Sequence, residues 1–143
     1  MSKVEQAVSL FIEGFSCGQA ILSTYATEFG LERELAIKAG TGFGAGFGRL
    51  GKTCGSVTSA LLVLSLKYGP NKIDDQAKNK TYGLVRRFIK RFEAVNGSIN
   101  CNELLGYDLT TSEGLKKAID NNLFKTICPN FVRSASEILE QLL

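Results

Sequence analysis

Residues 54–70 read CGSVTSALLVLSLKYGP, and this stretch decides the fold class. It is almost entirely apolar up to the glycine and proline that end it, and it is long enough for several helical turns. A helix without a polar face must be covered on most sides by other elements. We therefore place this helix at the centre of the molecule.

Helical spacing recurs on both sides of this stretch. Apolar residues repeat three and four positions apart in residues 4–12, 17–25, 84–95, 115–119 and 131–142, as they do in amphipathic helices. No segment alternates apolar and polar residues in the manner of a half-buried strand. The sequence therefore predicts an all-α fold for residues 1–143, a single-domain helical bundle of about seven or eight helices with one glycine-rich segment.

Composition excludes several classes of function. The chain has 143 residues, 44% of them hydrophobic, which is enough for the core of one domain. A net charge of +3 is too small to indicate a nucleic-acid partner. The absence of histidine excludes Ser-His-Asp and Cys-His catalysis and every metal site that contains histidine. The longest apolar run is far shorter than the roughly 20 residues of a membrane span, and residues 1–6 do not resemble a signal peptide. We expect a soluble, cytoplasmic protein that does not bind membranes.

A glycine-rich segment precedes the central helix. Residues 46–53 match the phosphate-loop pattern GxxxxGK followed by threonine, but no buried strand comes before them, so nucleotide binding is disfavoured. If helical, the glycines form a face without side chains that packs closely on another helix; alternatively, the segment is a loop around a site. For a site, the candidate cofactor-binding residues are Gly44, Gly46, Gly48, Gly51 and Gly55.

Each of the four cysteines falls at the predicted start of a helix. A serine, threonine or asparagine, all favoured N-cap residues, precedes each of the first three, and a proline follows the fourth. Backbone amides and the positive end of the helix dipole favour a thiolate over a thiol there. Redox exchange and metal ligation both require thiolates. The candidate redox-active and metal-ligating residues are therefore Cys17, Cys54, Cys101 and Cys128.

The cysteines also carry a resemblance to a known family. Residues 15–20 read FSCGQA, residues 51–60 read GKTCGSVTSA, and two isolated cysteines follow. Over nearly its whole length the chain resembles the bacterial and archaeal redox-active proteins called the C_GCAxxG_C_C family. It departs from their Cys-Gly-Ala-x-x-Gly motif at Ser56, which replaces alanine, and at Ser59, which replaces the second glycine. The resemblance implies a redox role with a suspected iron–sulfur or similar group.

Three functional hypotheses follow. In the first, the four thiolates converge on a 2Fe–2S or 4Fe–4S cluster that transfers electrons, with zinc as a less favoured, structural occupant. In the second, the cysteines form metal-free dithiol–disulfide couples, and Cys54 is the attacking thiolate because it opens the most buried helix. In the third, the chain is a non-catalytic helical binding module. The first two require a redox partner protein, which the sequence does not identify.

Overall fold

The computed structural model describes all residues from 1 to 143 and confirms an all-α chain, with one isolated β-bridge and no strand. Short connections and four single helical turns join the helices. The number of helices, eight, agrees with the prediction of about seven or eight. The eight helices of five residues or more are α1 (Lys3–Glu13), α2 (Cys17–Tyr25), α3 (Arg33–Gly40), α4 (Gly55–Tyr68), α5 (Asp75–Asn96), α6 (Cys101–Leu105), α7 (Ser112–Asp120) and α8 (Cys128–Leu142).

Helix α4 lies at the centre of the bundle, as its sequence predicts. It packs against α2, α5 and α8. Val57, Val63 and Leu64 are fully buried, whereas Leu62 and Leu66 reach the surface on its outer edge. Burying a side chain of this size contributes roughly 1.5–3 kcal/mol relative to leaving it exposed. Burial of its apolar side chains against three neighbouring helices therefore stabilises α4 in its central position.

Helix α5 is the longest helix and covers one side of α4. The carboxylate of Asp74 accepts a backbone amide of the first turn at 3.0 Å, and Gly97 ends the helix with φ 90°. Phe88 and Phe92 are fully buried, and the ring of Phe92 lies 6.4 Å from that of Phe131 on α8. No helix in the chain is both long enough and apolar enough to cross a membrane.

Helix α8 closes the bundle by packing on α1, α4 and α5. Two tyrosines bind the C-terminal end of α8. Tyr68 donates a hydrogen bond to the carbonyl of Leu142 at 2.8 Å, and Tyr25 donates to the carboxylate of Glu140 at 3.0 Å. Burial and this carboxylate raise the pKa of Tyr25 well above its ordinary value. These bonds tie the C-terminal end of α8 to α4 and α2.

Two glycines allow α2 and α3 to touch. A Cβ atom on Gly40 would lie 2.7 Å from the backbone nitrogen of Gln19, and one on Gly18 would lie 2.8 Å from the carbonyl oxygen of Gly40. Real side chains do not approach that closely, so the two backbones meet only because both side chains are missing. The close-packing role proposed for the glycine-rich segment therefore applies at its first glycine.

Further along the glycine-rich segment, Thr41–Phe43 form a single right-handed turn and residues 45–49 a left-handed one. The sequence left open whether this segment is helix or loop. Ala45, Phe47 and Arg49 have φ of 53°, 65° and 70°, and the intervening Gly46 and Gly48 have φ of 69° and 59°. The amides of residues 51 and 52 donate to the carbonyls of residues 45 and 46 at 3.2 and 3.1 Å. Each non-glycine residue in this conformation costs roughly 1–2 kcal/mol. We call residues 45–49 the left-handed turn.

Candidate functional site

All four cysteines line one cavity of about 800 Å³. Cys17, Cys101 and Cys128 are the first residues of their helices, and Cys54 immediately precedes α4. The predicted cap of α4, Thr53, therefore lies one residue too early in the chain. Much of the remaining wall is apolar and includes Phe11, Leu104, Leu105, Phe124 and Phe131.

A short antiparallel contact places Cys54 beside Cys101. The amide of Cys54 donates to the carbonyl of Ile99 at 2.7 Å, and the amide of Cys101 donates to the carbonyl of Lys52 at 2.6 Å. An isolated bridge lies between these two bonds. The chain entering α4 is thus paired with the chain entering α6, and both cysteines face the same cavity.

A capping box holds the start of α2 and with it Cys17. Ser16 Oγ accepts the amide of Gln19 at 3.2 Å, and Gln19 Oε1 accepts the amide of Ser16 at 2.9 Å, which is the arrangement that a serine followed three residues later by glutamine favours. The remaining amide protons of Gln19 reach Thr41 Oγ1 at 3.0 Å and the carbonyl of Ile37 at 3.2 Å. The first turn of α2, which begins at Cys17, is therefore held by hydrogen bonds to Ser16 on one side and to residues 37 and 41 on the other.

Cys17 and Cys54 lie close enough to shift each other's pKa, and the two shifts have opposite directions. The hydrogen bond from Cys54 is the largest cause that lowers the pKa of Cys17 to about 7, and burial opposes it. The backbone amides of Ala45 and Gly18 and the hydroxyl of Ser56 also lower this pKa. The same contact, together with burial, raises the pKa of Cys54 well above its ordinary value. These directions favour ionisation at Cys17 and differ from our expectation that Cys54 is the attacking thiolate.

Cys101 and Cys128 remain thiols at neutral pH. Burial raises the pKa of each to about 12, and the negative charge on Cys17 adds to the effect. The negative charge that Cys101 carries once ionised raises the pKa of Cys128 further. At these two cysteines and at Cys54, burial and a neighbouring negative charge therefore oppose the thiolate that we expected at all four helix starts.

The left-handed turn brings a backbone donor to Cys17, and a nearby glycine leaves room for its sulfur. The amide of Ala45, the first residue of the turn, hydrogen-bonds the sulfur of Cys17. Gly55 leaves the space that this sulfur occupies, since a Cβ atom there would lie 2.6 Å from Cys17 Sγ and 2.6 Å from the carbonyl oxygen of Phe43. The strained turn and the missing side chain of Gly55 thus both shape the surroundings of the Cys17 sulfur.

Ser56 and Ser59, where the chain departs from the family motif, are fully buried. Neither hydroxyl makes a well-formed hydrogen bond within the protein. Ser56 lines the cavity and lies close enough to Cys17 to lower its pKa, whereas Ser59 does not line the cavity. A buried hydroxyl without a partner costs about 1–3 kcal/mol. Ser56 therefore offers an unused donor at the reactive sulfur.

The five candidate cofactor-binding glycines divide into two groups. Gly44, Gly48 and Gly55 line the cavity. Gly46 and Gly51 do not, but their φ values of 69° and 71° direct the path of the chain around it. A role for the first group in holding a cofactor stays a prediction.

Three residues of the cavity wall were not among the predicted site residues. Arg49 and Lys125 are the charged residues of the cavity wall, and Ala45 donates its amide to Cys17. The only available signal for Ala45 and Arg49 was their place between glycines, and nothing in the local sequence marked Lys125. Side-chain chemistry alone does not indicate a backbone donor.

The cysteines do not form a metal shell in this arrangement. No three cysteine, aspartate or glutamate side chains in the chain are grouped closely enough to hold one metal ion, and all four cysteines are free thiols. The four sulfurs line the same cavity, but no three of them lie close enough together to bind one metal ion. The predicted four-thiolate site is thus not assembled here, and metal binding stays a prediction.

Comparison with known proteins adds one finding. The model of the family described as "Putative redox-active protein (C_GCAxxG_C_C)" matches residues 15–142, which include all four cysteines. Comparison with curated proteins and with solved structures finds no significant match.

Proposed function

Since the chain belongs to this family of redox-active proteins, we propose that Cys17 and Cys54 form a reversible dithiol–disulfide couple. The observation that carries the proposal is that Cys17 and Cys54 line the same cavity and that Cys17 Sγ packs against Gly55, the residue after Cys54. The opposite shifts of the two pKa values, downward for Cys17 and upward for Cys54, support it. An attacking thiolate beside a protonated resolving thiol is the arrangement that disulfide exchange requires.

In the first step, the Cys17 thiolate attacks one sulfur of a substrate disulfide, R–S–S–R. A bond forms between Cys17 and one R–S group, the S–S bond of the substrate breaks, and the other group leaves as R–S⁻. A thiol whose pKa of about 7 lies near the ambient pH combines a large thiolate fraction with good nucleophilicity. This is the reason for assigning the attack to Cys17.

In the second step, Cys54 attacks the Cys17 sulfur of the mixed disulfide. The negative charge of Cys17 has by then entered a covalent bond, so one cause of the raised pKa of Cys54 is gone. The proton of Cys54 passes to the departing R–S group, which leaves as R–SH, and the Cys17–Cys54 bond forms. Two electrons have moved from the protein dithiol to the substrate disulfide.

The cycle closes when a dithiol-carrying redox partner protein reduces the Cys17–Cys54 disulfide by the same exchange in reverse. Cys101 and Cys128 take no part in these steps. Their high pKa values keep them protonated while Cys17 reacts.

Trapping of the mixed disulfide tests the proposal. With a small aromatic disulfide, the Cys54→Ser variant should release one thiol per chain and keep the other half of the reagent on Cys17. The unaltered protein and a Cys128→Ser control should release two from the pair. Mass spectrometry of the peptides locates the adduct. Release of two thiols by Cys54→Ser, or an adduct located mainly on another cysteine, would overturn the proposal.

A four-cysteine iron–sulfur site is the second candidate, favoured by the shared cavity of all four sulfurs. Iron–sulfur clusters take cysteine thiolates as ligands, and zinc accepts the same set. The candidate requires Cys101 and Cys128 to move towards the other two sulfurs, since no three now lie close enough to hold one ion. Anaerobic purification followed by iron, sulfide and zinc analysis and a visible spectrum tests it. Metal-free, colourless protein with four titratable thiols would reject it.

A further inference from the structure

The wall of the cavity carries charge of only one sign. Arg49 and Lys125 line it, whereas no aspartate or glutamate does. Neither cation forms a salt bridge elsewhere in the protein. Both are exposed, as are the lining residues Ile12 and Ile119, so these four side chains mark the mouth of the cavity. Anything that enters the cavity passes two unpaired positive charges.

Both cations are tied to the cysteines by short stretches of chain. Arg49 is the last residue of the left-handed turn, whose first residue, Ala45, donates to the Cys17 sulfur. Lys125 lies in the single turn Leu123–Thr126, directly before the start of α8 at Cys128. Both positive side chains therefore belong to short segments that help to form the cavity wall near its cysteines.

The interior of the cavity is apolar, with one polar exception. The rings of Phe11, Phe124 and Phe131 contribute to the wall, and a volume of about 800 Å³ suits an organic molecule. Ser56 is fully buried, lines the cavity beside Cys17 and has no well-formed hydrogen bond. A buried hydroxyl without a partner indicates a group that accepts its hydrogen bond when bound.

We propose that this cavity binds small organic disulfides that carry a carboxylate, with the carboxylate at Arg49 and Lys125 and the disulfide at Cys17. The inference rests on the proposed dithiol–disulfide function and names its class of substrate. Positive charge at the mouth raises the local concentration of anions and speeds their encounter with the thiolate. The apolar wall accepts the organic part of the substrate, and Ser56 donates to its reacting end.

Two aromatic disulfides, one anionic and one neutral, test this assignment. Dithiobis(nitrobenzoate) carries two carboxylates and dithiodipyridine carries none, and both release coloured thiols when Cys17 attacks. Rates are compared between the unaltered protein and the double variant Arg49→Gln/Lys125→Gln. A control double variant, Arg87→Gln/Lys90→Gln, removes the same charge from the exposed face of α5, away from the cavity.

The double variant at the mouth should react about tenfold more slowly with the anionic reagent and within about twofold of the unaltered rate with the neutral one. The control should stay within about twofold with both reagents. Added salt should slow only the anionic reaction, and less so in the mouth variant.

Two kinds of failure are distinguishable. If neither reagent modifies Cys17 in the unaltered protein, the proposed dithiol function fails. If both reagents modify Cys17 but the mouth variant slows them equally, or slows neither, only the substrate class is overturned. An equal loss in the control double variant would likewise overturn it, because net charge rather than the cavity mouth would then set the rate.

Discussion

Cys17 differs from the other three cysteines in what donates to its sulfur. All four stand at the start of a helix, so the helix end alone does not decide which one ionises. The thiol of Cys54, two backbone amides and the nearby hydroxyl of Ser56 lower the pKa of Cys17, whereas burial dominates the pKa of Cys101 and of Cys128. Direct donors, rather than the helix dipole, therefore select the reactive residue.

The pH dependence of alkylation measures this difference. Only the thiolate reacts with iodoacetamide, so the rate at Cys17 should rise with pH and reach half its maximum near pH 7. Cys54→Ala removes the largest cause of the lowered pKa and should move this midpoint upward by about one pH unit or more. Quantitative mass spectrometry of the Cys17 peptide gives the rates.

Cys128→Ala is the matched control, because it removes a cavity thiol that does not donate to Cys17. Its midpoint should remain near that of the unaltered protein. A midpoint that stays the same in Cys54→Ala would show that the contact between the two thiols does not set the pKa of Cys17.

The two buried serines give a paired prediction. Ser59→Ala removes a hydroxyl without a partner and should raise the free energy of unfolding by about 1 kcal/mol, with the alkylation midpoint unchanged. Ser56→Ala should move that midpoint upward, because its hydroxyl favours the Cys17 thiolate. Denaturant unfolding and alkylation are measured on both variants. The same midpoint in both would show that Ser56 has no special relation to Cys17.

At the scale of elements, the left-handed turn has an unfavourable backbone conformation at its non-glycine residues, and substitution with glycine should relieve it. Ala45→Gly keeps the amide that donates to Cys17 and relieves a φ of 53°, so it should raise the free energy of unfolding by about 1 kcal/mol. The alkylation midpoint should not change. Ala94→Gly, at an exposed position of α5, should instead lower the free energy of unfolding by up to about 1 kcal/mol. Equal destabilisation by both glycines would contradict the left-handed assignment.

The start of α4 depends on a missing side chain. Glycine inside a helix is intrinsically unfavourable, so Gly83→Ala, which meets no neighbour closer than 4.0 Å, should stabilise the protein by about 1 kcal/mol. Gly55→Ala should lower the free energy of unfolding by about 1–3 kcal/mol, because the added Cβ would strike Cys17 Sγ. It should also disturb the alkylation profile of Cys17. Stabilisation by Gly55→Ala would show that the contact is not tight.

Elements whose limits depend on local chemistry were predictable. The apolar run of α4, the caps of α5 at Asp74 and Gly97, and the capping box of Ser16 and Gln19 all follow from neighbouring residues. The left-handed turn was not predictable, because Ala45, Phe47 and Arg49 do not favour that conformation. Its stability comes from hydrogen bonds and packing that form only in the complete fold.

At the scale of the molecule, the bundle gathers cysteines that are far apart in the sequence. Their common position at helix starts predicted that they belong together, and they do share one cavity. Which two touch depends on tertiary contacts, such as the bond from the Cys101 amide to the Lys52 carbonyl, that no local pattern reveals. The sequence therefore indicated the residues of the site but not its pairing or its thiolate.

The identity of the bond formed on mild oxidation tests the central claim most directly. The protein is equilibrated in dithiol–disulfide redox buffers, free thiols are blocked, and disulfide-linked peptides are identified by mass spectrometry. We expect one reversible bond, between Cys17 and Cys54, with Cys101 and Cys128 recovered as blocked thiols. Four thiols that stay free across the redox range, or a bond that mainly joins another pair, would contradict the account.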